Sequence, residues 1–177
     1  PLIHIADYNV VTDLDENYKN ANLDIDLAVS NASTADLSDY AVDVRLFDAA
    51  GNVFMNGYTI DIPAVGKAAQ DGTKTIVTAS GSHIVYEPLL WSAEQPNLYT
   101  MVMTLYHKET GAYIESVSQQ LGFREIEFVS SQVNENGQRS TADKEYKPVT
   151  INGQPLLLKG TNRHDTDPIY GKYVPEE

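Results

Sequence analysis

The sequence contains no cysteine and no long apolar segment. Without cysteine, the chain can form neither a disulfide framework nor a thiolate metal site. No apolar run approaches the roughly 20 residues that a membrane-spanning helix needs, and no basic-then-apolar signal segment opens the chain. We therefore expect no membrane partner. We expect a cytoplasmic protein, although a lack of cysteine is compatible with secretion as well.

Positive charge is also scarce. Only 12 lysines and arginines stand against 25 aspartates and glutamates, which gives a net charge of −13. Such a chain is repelled by a nucleic-acid backbone and by an anionic membrane surface, so neither is an expected partner. With 177 residues, of which 42% are hydrophobic and 21% charged, the chain suits one globular domain, or one domain with an appendage.

The sequence also lacks any segment with a convincing helical period of 3.6 residues. Instead, about seven short segments alternate between apolar and polar residues or are rich in β-branched side chains. They lie at 2–11, 23–30, 41–48, 53–62, 74–79, 97–105 and after Gly111. This number of strands, separated by turn signals, predicts an all-β, antiparallel β-sandwich. Because the sequence opens at Pro1 in strand-like residues, we expect a piece of a longer protein.

The last strand of this set changes parity. Leu121 and Phe123 share one face, whereas Ile126 and Phe128 lie on the opposite one. A one-residue slip of this kind reverses every side chain unless a bulge or bend absorbs it, and Gly122 is the natural place. We therefore expect the chain to change direction near Gly122 as it leaves the sandwich.

Four further residues carry expectations of their own. Trp91 lies in a loop bounded by two prolines, where its ring is expected to plug one end of the core. His4, His83 and His107 share no spacing with carboxylates that would make a metal site, so we expect them to face solvent. No metal-binding residue and no cofactor are expected in this chain.

The segment 152–168 is the one stretch that looks like a functional site. Asn152-Gly153 is a strong hairpin signal, predicted to join strands at 148–151 and 156–158, the second of them buried on both faces. After Gly160 follows a group of polar residues, 161–167, at the end of that strand. In α/β barrels, the carboxyl ends of the strands hold the active site.

This segment resembles the entry to the catalytic barrel in the β-galactosidases of glycoside hydrolase family 2, whose pattern is N-G-x-P-L-L-x-K/R-G-x-N-R-H-E/D-x-x-P. Two further segments match the family in the right order, L-W-S-A-E-Q-P-N-L-Y at 90–99 and G-F-R-E-I at 122–126. The resemblance implies an immunoglobulin-like sandwich domain over 1–129. A polar linker over 130–147 and the incomplete start of a (β/α)8 barrel over 148–177 would follow it, the barrel start forming a C-terminal hairpin and loop extension.

The resemblance also implies a chemistry. The parent enzyme would hydrolyse terminal β-galactosides with retention, using two glutamates that are roughly 5 Å apart. Both would lie beyond Glu177, so this chain would hold no catalytic residue and be inactive alone. His164 would bind a galactose hydroxyl and stabilise the transition state, and Asn162 and Arg163 would shape the pocket floor beside it. An imidazole can donate to or accept from a sugar hydroxyl, as this role requires.

Several partners are implied for the parent enzyme. They are the β-galactoside substrate, a sugar-binding jelly-roll domain and the catalytic barrel, with Mg²⁺ and Na⁺ as cofactors and a homo-oligomeric assembly. In some family members a loop of the sandwich reaches the active site of a neighbouring subunit. Here that loop would fall between Asn56 and Ser82, where an ordinary loop is the favoured interpretation.

Two alternatives remain open. The chain could be a free-standing sandwich module that binds carbohydrate or acts as an adhesin, with its tail serving only as a linker. It could also be the same domain from a β-glucuronidase or a β-mannosidase, which share the architecture. Arg163 followed by His164-Asp165 favours the galactosidase branch.

Overall fold

A computed structural model describes residues 1–64, 73–128, 149–162, 166 and 169–171. Within these residues nearly all regular structure is β-strand, interrupted by one 3-10 turn at Leu37–Asp39. The strands are β1 Ile3–Leu14, β2 Ala21–Asn31, β3 Tyr40–Phe47, β4 Val53–Asp61, β5 Thr75–Val85, β6 Tyr99–His107, β7 Tyr113–Leu121, β8 Ile126–Phe128, β9 Val149–Ile151 and β10 Gln154–Pro155.

The first seven strands form two antiparallel sheets that pack against each other. One has the order β1-β2-β5 and the other the order β4-β3-β6-β7. Hairpin neighbours stay in one sheet, whereas the chain crosses between sheets after β2, β4 and β5. A third, small antiparallel sheet has the order β10-β9-β8. The predicted immunoglobulin-like antiparallel sandwich with a C-terminal hairpin is confirmed.

Strict alternation along the strands decides which side chains form the core. Leu23, Ile25, Leu27 and Val29 of β2 are all buried, while Asp26 between them accepts a hydrogen bond from an exposed serine of β5. Across the sandwich, β6 presents its own buried row of Tyr99, Met101, Met103 and Leu105. Burying each large apolar side chain contributes about 1.5–3 kcal/mol. These two rows therefore supply much of the stability of the fold.

Strand β5 is longer than its sequence predicts. The expected strand covers 74–79, but the observed one runs through Ser80-Gly81-Ser82 to Val85, paired with β2 along its whole length. Glycine is disfavoured in strands, and here close packing against β4 outweighs that propensity. A Cβ atom built on Gly81 would lie 2.6 Å from Cγ1 of the buried Ile60, so only glycine lets β5 pass this close to β4.

Trp91 does not plug the core, which corrects that expectation. Phe123 fills this end instead, fully buried and in an edge contact with Tyr99 at 5.4 Å between ring centroids. Trp91 is half-buried and lies against Gly122, where an added Cβ would be 2.9 Å from the tryptophan Cβ. The predicted break at Gly122 is confirmed, because β7 ends at Leu121 and the next strand starts at Ile126.

The three histidines expected to face solvent are each half-buried. His83 stacks on Tyr58, with ring centroids 4.8 Å apart and an interplanar angle of 7°. His107 makes an edge contact with Tyr40 at 5.0 Å. For His83, the expectation of solvent exposure failed because this residue belongs to the unpredicted part of β5, on the side of the strand that faces β4.

The predicted hairpin across Asn152-Gly153 is present, but its second strand is short. Both turn residues have positive φ, 50° and 73°, as a type I′ turn requires. Strand β10 ends at Pro155, and Leu157 and Leu158 are 76% and 75% exposed. The expectation of a strand buried on both faces is therefore wrong for the described residues, because none of them packs over these two leucines.

The close passage at Gly81 yields a stability prediction. Gly81→Ala should lower the free energy of unfolding by about 1–3 kcal/mol, the usual cost of overpacking a core. The cause is the contact with Ile60, since the backbone of Gly81 is compatible with alanine. Urea denaturation of the chain measures the effect. Ser82→Ala, at an exposed position of the same strand, is the matched control, and an equal midpoint for both variants would contradict the packing argument.

Candidate functional site

The small sheet meets one end of the sandwich at a contact surface that we term the junction. The sandwich contributes the turn between β1 and β2, the loop before β6, and the segment that leaves β7. The small sheet contributes its hairpin turn and β8. The residues of the junction are Tyr18, Trp91, Arg124, Glu125, Glu127, Asn152 and Gly153.

Asn152 makes the most extensive polar contacts of the junction. Its backbone N–H donates to the carbonyl of Glu125 at 2.9 Å, and its side-chain Oδ1 accepts from the N–H of Glu125 at 2.9 Å. Its Nδ2 donates to the carbonyl of Trp91 at 3.1 Å. Asn152 thus extends the pairing of β9 with the chain that enters β8, and its Nδ2 connects the turn to the loop before β6 of the sandwich.

Gly153 and Tyr18 form the second contact of the junction. A Cβ atom on Gly153 would lie 2.4 Å from Cε2 of Tyr18, so the tyrosine ring rests directly on the hairpin turn. The Tyr18 hydroxyl donates to the carboxylate of Glu127 at 2.5 Å, and this bond raises the pKa of Tyr18. Both the ring and the hydroxyl of Tyr18 therefore contact the small sheet.

The turn that presents Tyr18 is held by Asp15. Its carboxylate accepts backbone N–H bonds from Lys19 at 2.8 Å and Asn17 at 3.1 Å, and it also binds Asn20. These bonds, with that from Lys19 the largest cause, lower the pKa of Asp15. They also hold Tyr18 at a positive φ of 53°, which is uncommon outside glycine.

Trp91 and Arg124 form the third contact. The Arg124 guanidinium lies 4.5 Å from the centroid of the Trp91 ring, a cation–π geometry. The Trp91 N–H donates to the carbonyl of Phe123 at 2.8 Å, and Leu90 forms a parallel bridge with Phe123. The segments 90–99 and 122–126 therefore meet the turn residues Asn152 and Gly153 at the junction, although the three are far apart in sequence.

Of the three predicted substrate-binding residues, the structure describes only Asn162. Asn162 is exposed, at the end of a segment from Leu156 that has no regular secondary structure. Arg163 and His164 lie outside the described residues, so the structure does not test whether the three residues come together, and their roles stay predictions. The predicted linker over 130–147, and residues 65–72 of the region between Asn56 and Ser82 where a loop is expected, also lie outside the described residues.

The described residues offer no metal centre. Within them, no group of three or more histidines, aspartates or glutamates is placed to hold a metal ion. The Mg²⁺ and Na⁺ that the family resemblance implies for the parent stay a prediction. No helix in the described part of the chain is long and apolar enough to cross a membrane.

A groove of about 510 Å³ opens at the junction end of the sandwich. It lies between the turn after β3 and the start of β6, and Asn162 is not part of it. Sequence analysis did not single it out, because its walls come from segments that are distant along the chain. Its lining includes Phe47, Asp48, Leu89, Leu98, Tyr99 and Gln120.

Three strands packed on four, with a hairpin sheet at one end, define the chain as an immunoglobulin-like sandwich domain with an appended hairpin. Residues 3–124 match the family model described as Glycosyl hydrolases family 2. This match covers more than half of the chain. The chain therefore belongs to that family, as the resemblance predicted.

Proteins similar in sequence include two β-galactosidases. That of Priestia megaterium is 31% identical over 172 residues, which cover 97% of this chain and 14% of that protein. That of Vibrio vulnificus is 32% identical over 173 residues, covering 98% of this chain and 14% of that protein. The chain therefore spans about one seventh of the length of these relatives.

Similar solved structures include two β-glucuronidases. That of Bifidobacterium dentium, complexed with coumarin-3-O-glucuronide, has a TM-score of 0.62 at 22% identity and covers 98% of this chain and 24% of that one. That of Bacteroides uniformis has a TM-score of 0.64 at 18% identity, covering 99% and 19%. At this level of identity, the likeness shows the fold alone.

The contact between Gly153 and Tyr18 yields a prediction about docking of the small sheet. Gly153→Ala should loosen the junction, because its Cβ would collide with the tyrosine ring at 2.4 Å. We expect faster hydrogen exchange at the amides of Glu125 and Asn152, which bond to each other where the small sheet adjoins the junction. The matched control is Gly111→Ala, which has a similar φ of 68° but no neighbouring atom within 4 Å. Equal exchange in the two variants would contradict the prediction.

The carboxyl of Glu125 yields a pH prediction. Burial, followed by the charges of Glu127 and Asp13, raises its pKa above the ordinary 4.5. Because the folded state then binds the proton more tightly, Glu125 contributes stability at low pH that is lost as the pH rises through the folded pKa. Glu125→Gln should therefore raise the melting temperature slightly at neutral pH and give no gain well below pH 4.5.

Thermal unfolding across this pH range measures the effect. Glu109→Gln, in the exposed turn between β6 and β7, is the control for removing one negative charge from an acidic protein. A gain for Glu125→Gln that is the same at both ends of the range would show that burial of this carboxyl is not its cause.

Proposed function

We propose that this chain is the non-catalytic sandwich domain, with the opening of the catalytic barrel, of a retaining β-galactosidase that hydrolyses terminal β-galactosides. The observation that carries the proposal is the 31–32% identity, over almost the whole chain, to β-galactosidases of which the chain spans 14%. The segment 152–168, with its galactosidase-like Arg163-His164-Asp165, supports the same assignment.

The task of the domain in this proposal is to position the barrel. The retaining mechanism needs two carboxyl groups about 5 Å apart, on either side of the glycosidic bond. We assign both to the part of the parent enzyme outside this chain. The junction supports a positioning task, because it ties the chain that leads to Asn162 to the well-packed end of the sandwich.

Exposed apolar side chains on and beside the small sheet are evidence for an adjoining domain. Ile126 and Phe128 of β8, and Leu157 and Leu158 after β10, are all exposed. A concentration of exposed large apolar side chains within one small part of a protein marks an interaction surface. We assign this surface to the contact with the catalytic barrel of the parent enzyme.

His164, Asn162 and Arg163 are the residues through which this chain would reach the substrate. In the proposal His164 hydrogen-bonds a galactose hydroxyl, while Asn162 and Arg163 shape the pocket floor. A bond that strengthens as the sugar ring distorts lowers the barrier, so it affects turnover more than substrate binding.

An assay of the full-length protein tests the proposal. We expect it to cleave an aryl β-galactoside and leave an aryl β-glucuronide intact, and we expect the 177-residue chain alone to cleave neither. Cleavage of only the glucuronide would overturn the substrate class. If the full-length protein cleaves neither substrate while the chain binds a glycan, the chain is a binding module.

The role of His164 yields a separate kinetic prediction. In the full-length enzyme, His164→Ala should lower kcat by about 100-fold with a smaller change in KM, as when one donor to a transition state is removed. Steady-state kinetics on the aryl galactoside measure both constants. Lys159→Ala, at an exposed position earlier in the same segment, should leave kcat unchanged. A rise in KM at constant kcat would show that His164 only binds the ground state.

A further inference from the structure

We propose that Asn152 is a positioning residue for the hydrolysis. By this inference, which rests on the proposed function, Asn152 sets the place and direction in which the chain continues toward Asn162 and the residues after it. It does not contact substrate. It acts through the hairpin that it holds against the sandwich.

The small sheet depends on outside contacts for its position. Strands β8 and β9 have three residues each and β10 has two. Sheets of this size are marginal on their own, because they bury little apolar area. Their orientation relative to the sandwich is therefore set by the junction.

One of the three hydrogen bonds of Asn152, from Nδ2 to the carbonyl of Trp91, connects the turn to the core, and the other two join it to the chain that enters β8. All of them end on backbone atoms, of Glu125 and of Trp91. The N–H of Trp91 donates in turn to the carbonyl of Phe123, whose ring is fully buried. A backbone partner anchored in this way cannot swing aside as a surface side chain does, so the bond to Trp91 restrains the position of the turn.

The same turn determines where the next segment begins. Across it, β10 pairs with β9, and the N–H of Leu156 donates to the carbonyl of Val149 at 2.8 Å. The chain then runs without regular secondary structure to Asn162. A tilt of the hairpin would displace this whole segment, and a displacement of about 1 Å in a positioned group can cost roughly 100-fold in rate.

An amide is the side chain that these contacts require. Its oxygen accepts from the Glu125 N–H while its nitrogen donates to the Trp91 carbonyl. An aspartate would keep the first bond but place a carboxylate against a carbonyl oxygen, and glycine would keep the positive φ of 50° while losing both side-chain bonds. These two substitutions therefore separate the hydrogen bonds from the backbone geometry.

The chain offers a matched control in Asn31. Its side chain accepts from the N–H of Ser33 at 2.8 Å and donates to the carbonyl of Ala35 at 2.9 Å, so it makes the same two kinds of bond. Asn31 lies at the far end of β2 from the turn that carries Tyr18, roughly 30 Å away at about 3.3 Å per residue. Its loss should affect stability without affecting the junction.

The experiment compares Asn152→Gly, Asn152→Asp and Asn31→Gly in the full-length enzyme, by thermal unfolding and by kcat and KM on an aryl β-galactoside. Rates are measured at a temperature where every variant is folded. We expect both glycine variants to lose melting temperature, but only the Asn152 variants to lose kcat, by about tenfold or more, with a smaller change in KM. If Asn152→Gly does not fold, Asn152→Asp decides the result.

Two outcomes would overturn the positioning role while leaving the proposed function intact. One is wild-type kcat and KM in the Asn152 variants, with only melting temperature lowered. The other is an equal loss of kcat in Asn31→Gly, which would make the effect a general consequence of instability. A wild-type enzyme that cleaves no β-galactoside would instead overturn the proposed function, and this role with it.

Discussion

Apolar packing between the inner faces of the two sandwich sheets is the interaction on which the rest of the molecule depends. The buried rows of β2 and β6 hold the sheets together, and Phe123 closes the core at the end where the chain leaves it. Trp91 is bonded to the backbone of Phe123, and Asn152 is bonded to the backbone of Trp91. The core thus restrains the position of the hairpin through a short series of hydrogen bonds to backbone atoms.

This arrangement explains why three separated segments share a resemblance to one family. The segments 90–99 and 122–126 and the start of the segment 152–168 are not independent sites, because they meet in one junction at the end of the sandwich. Gly122 and Gly153 each lie against an aromatic ring that leaves no room for a Cβ atom, Trp91 in one case and Tyr18 in the other. A junction built from close backbone approach and ring packing tolerates few substitutions. This restriction is the physical reason that the residues of the junction form recognisable motifs.

Three predictions that depend on local pattern succeeded. Alternation identified the sandwich strands, the parity change located the break at Gly122, and Asn152-Gly153 identified the hairpin turn. Predictions that depend on partners distant in sequence failed. The burial of His83 against Tyr58, and the place of Trp91 outside the core, were decided by neighbours that no local pattern reveals.

For the candidate site, too, sequence pattern determined one part of the result and contacts between distant segments decided the other. The sequence by itself determined the fold class, because side-chain alternation has a period of 2 in any strand, and it determined the family, because three motifs occur in order. Only the tertiary structure decided that those motifs converge, that β5 extends past Gly81, and that the exposed segment toward Asn162 starts from a turn bonded to the sandwich. Convergence, close approach and burial are properties of pairs of segments, and a pattern within one segment cannot specify them.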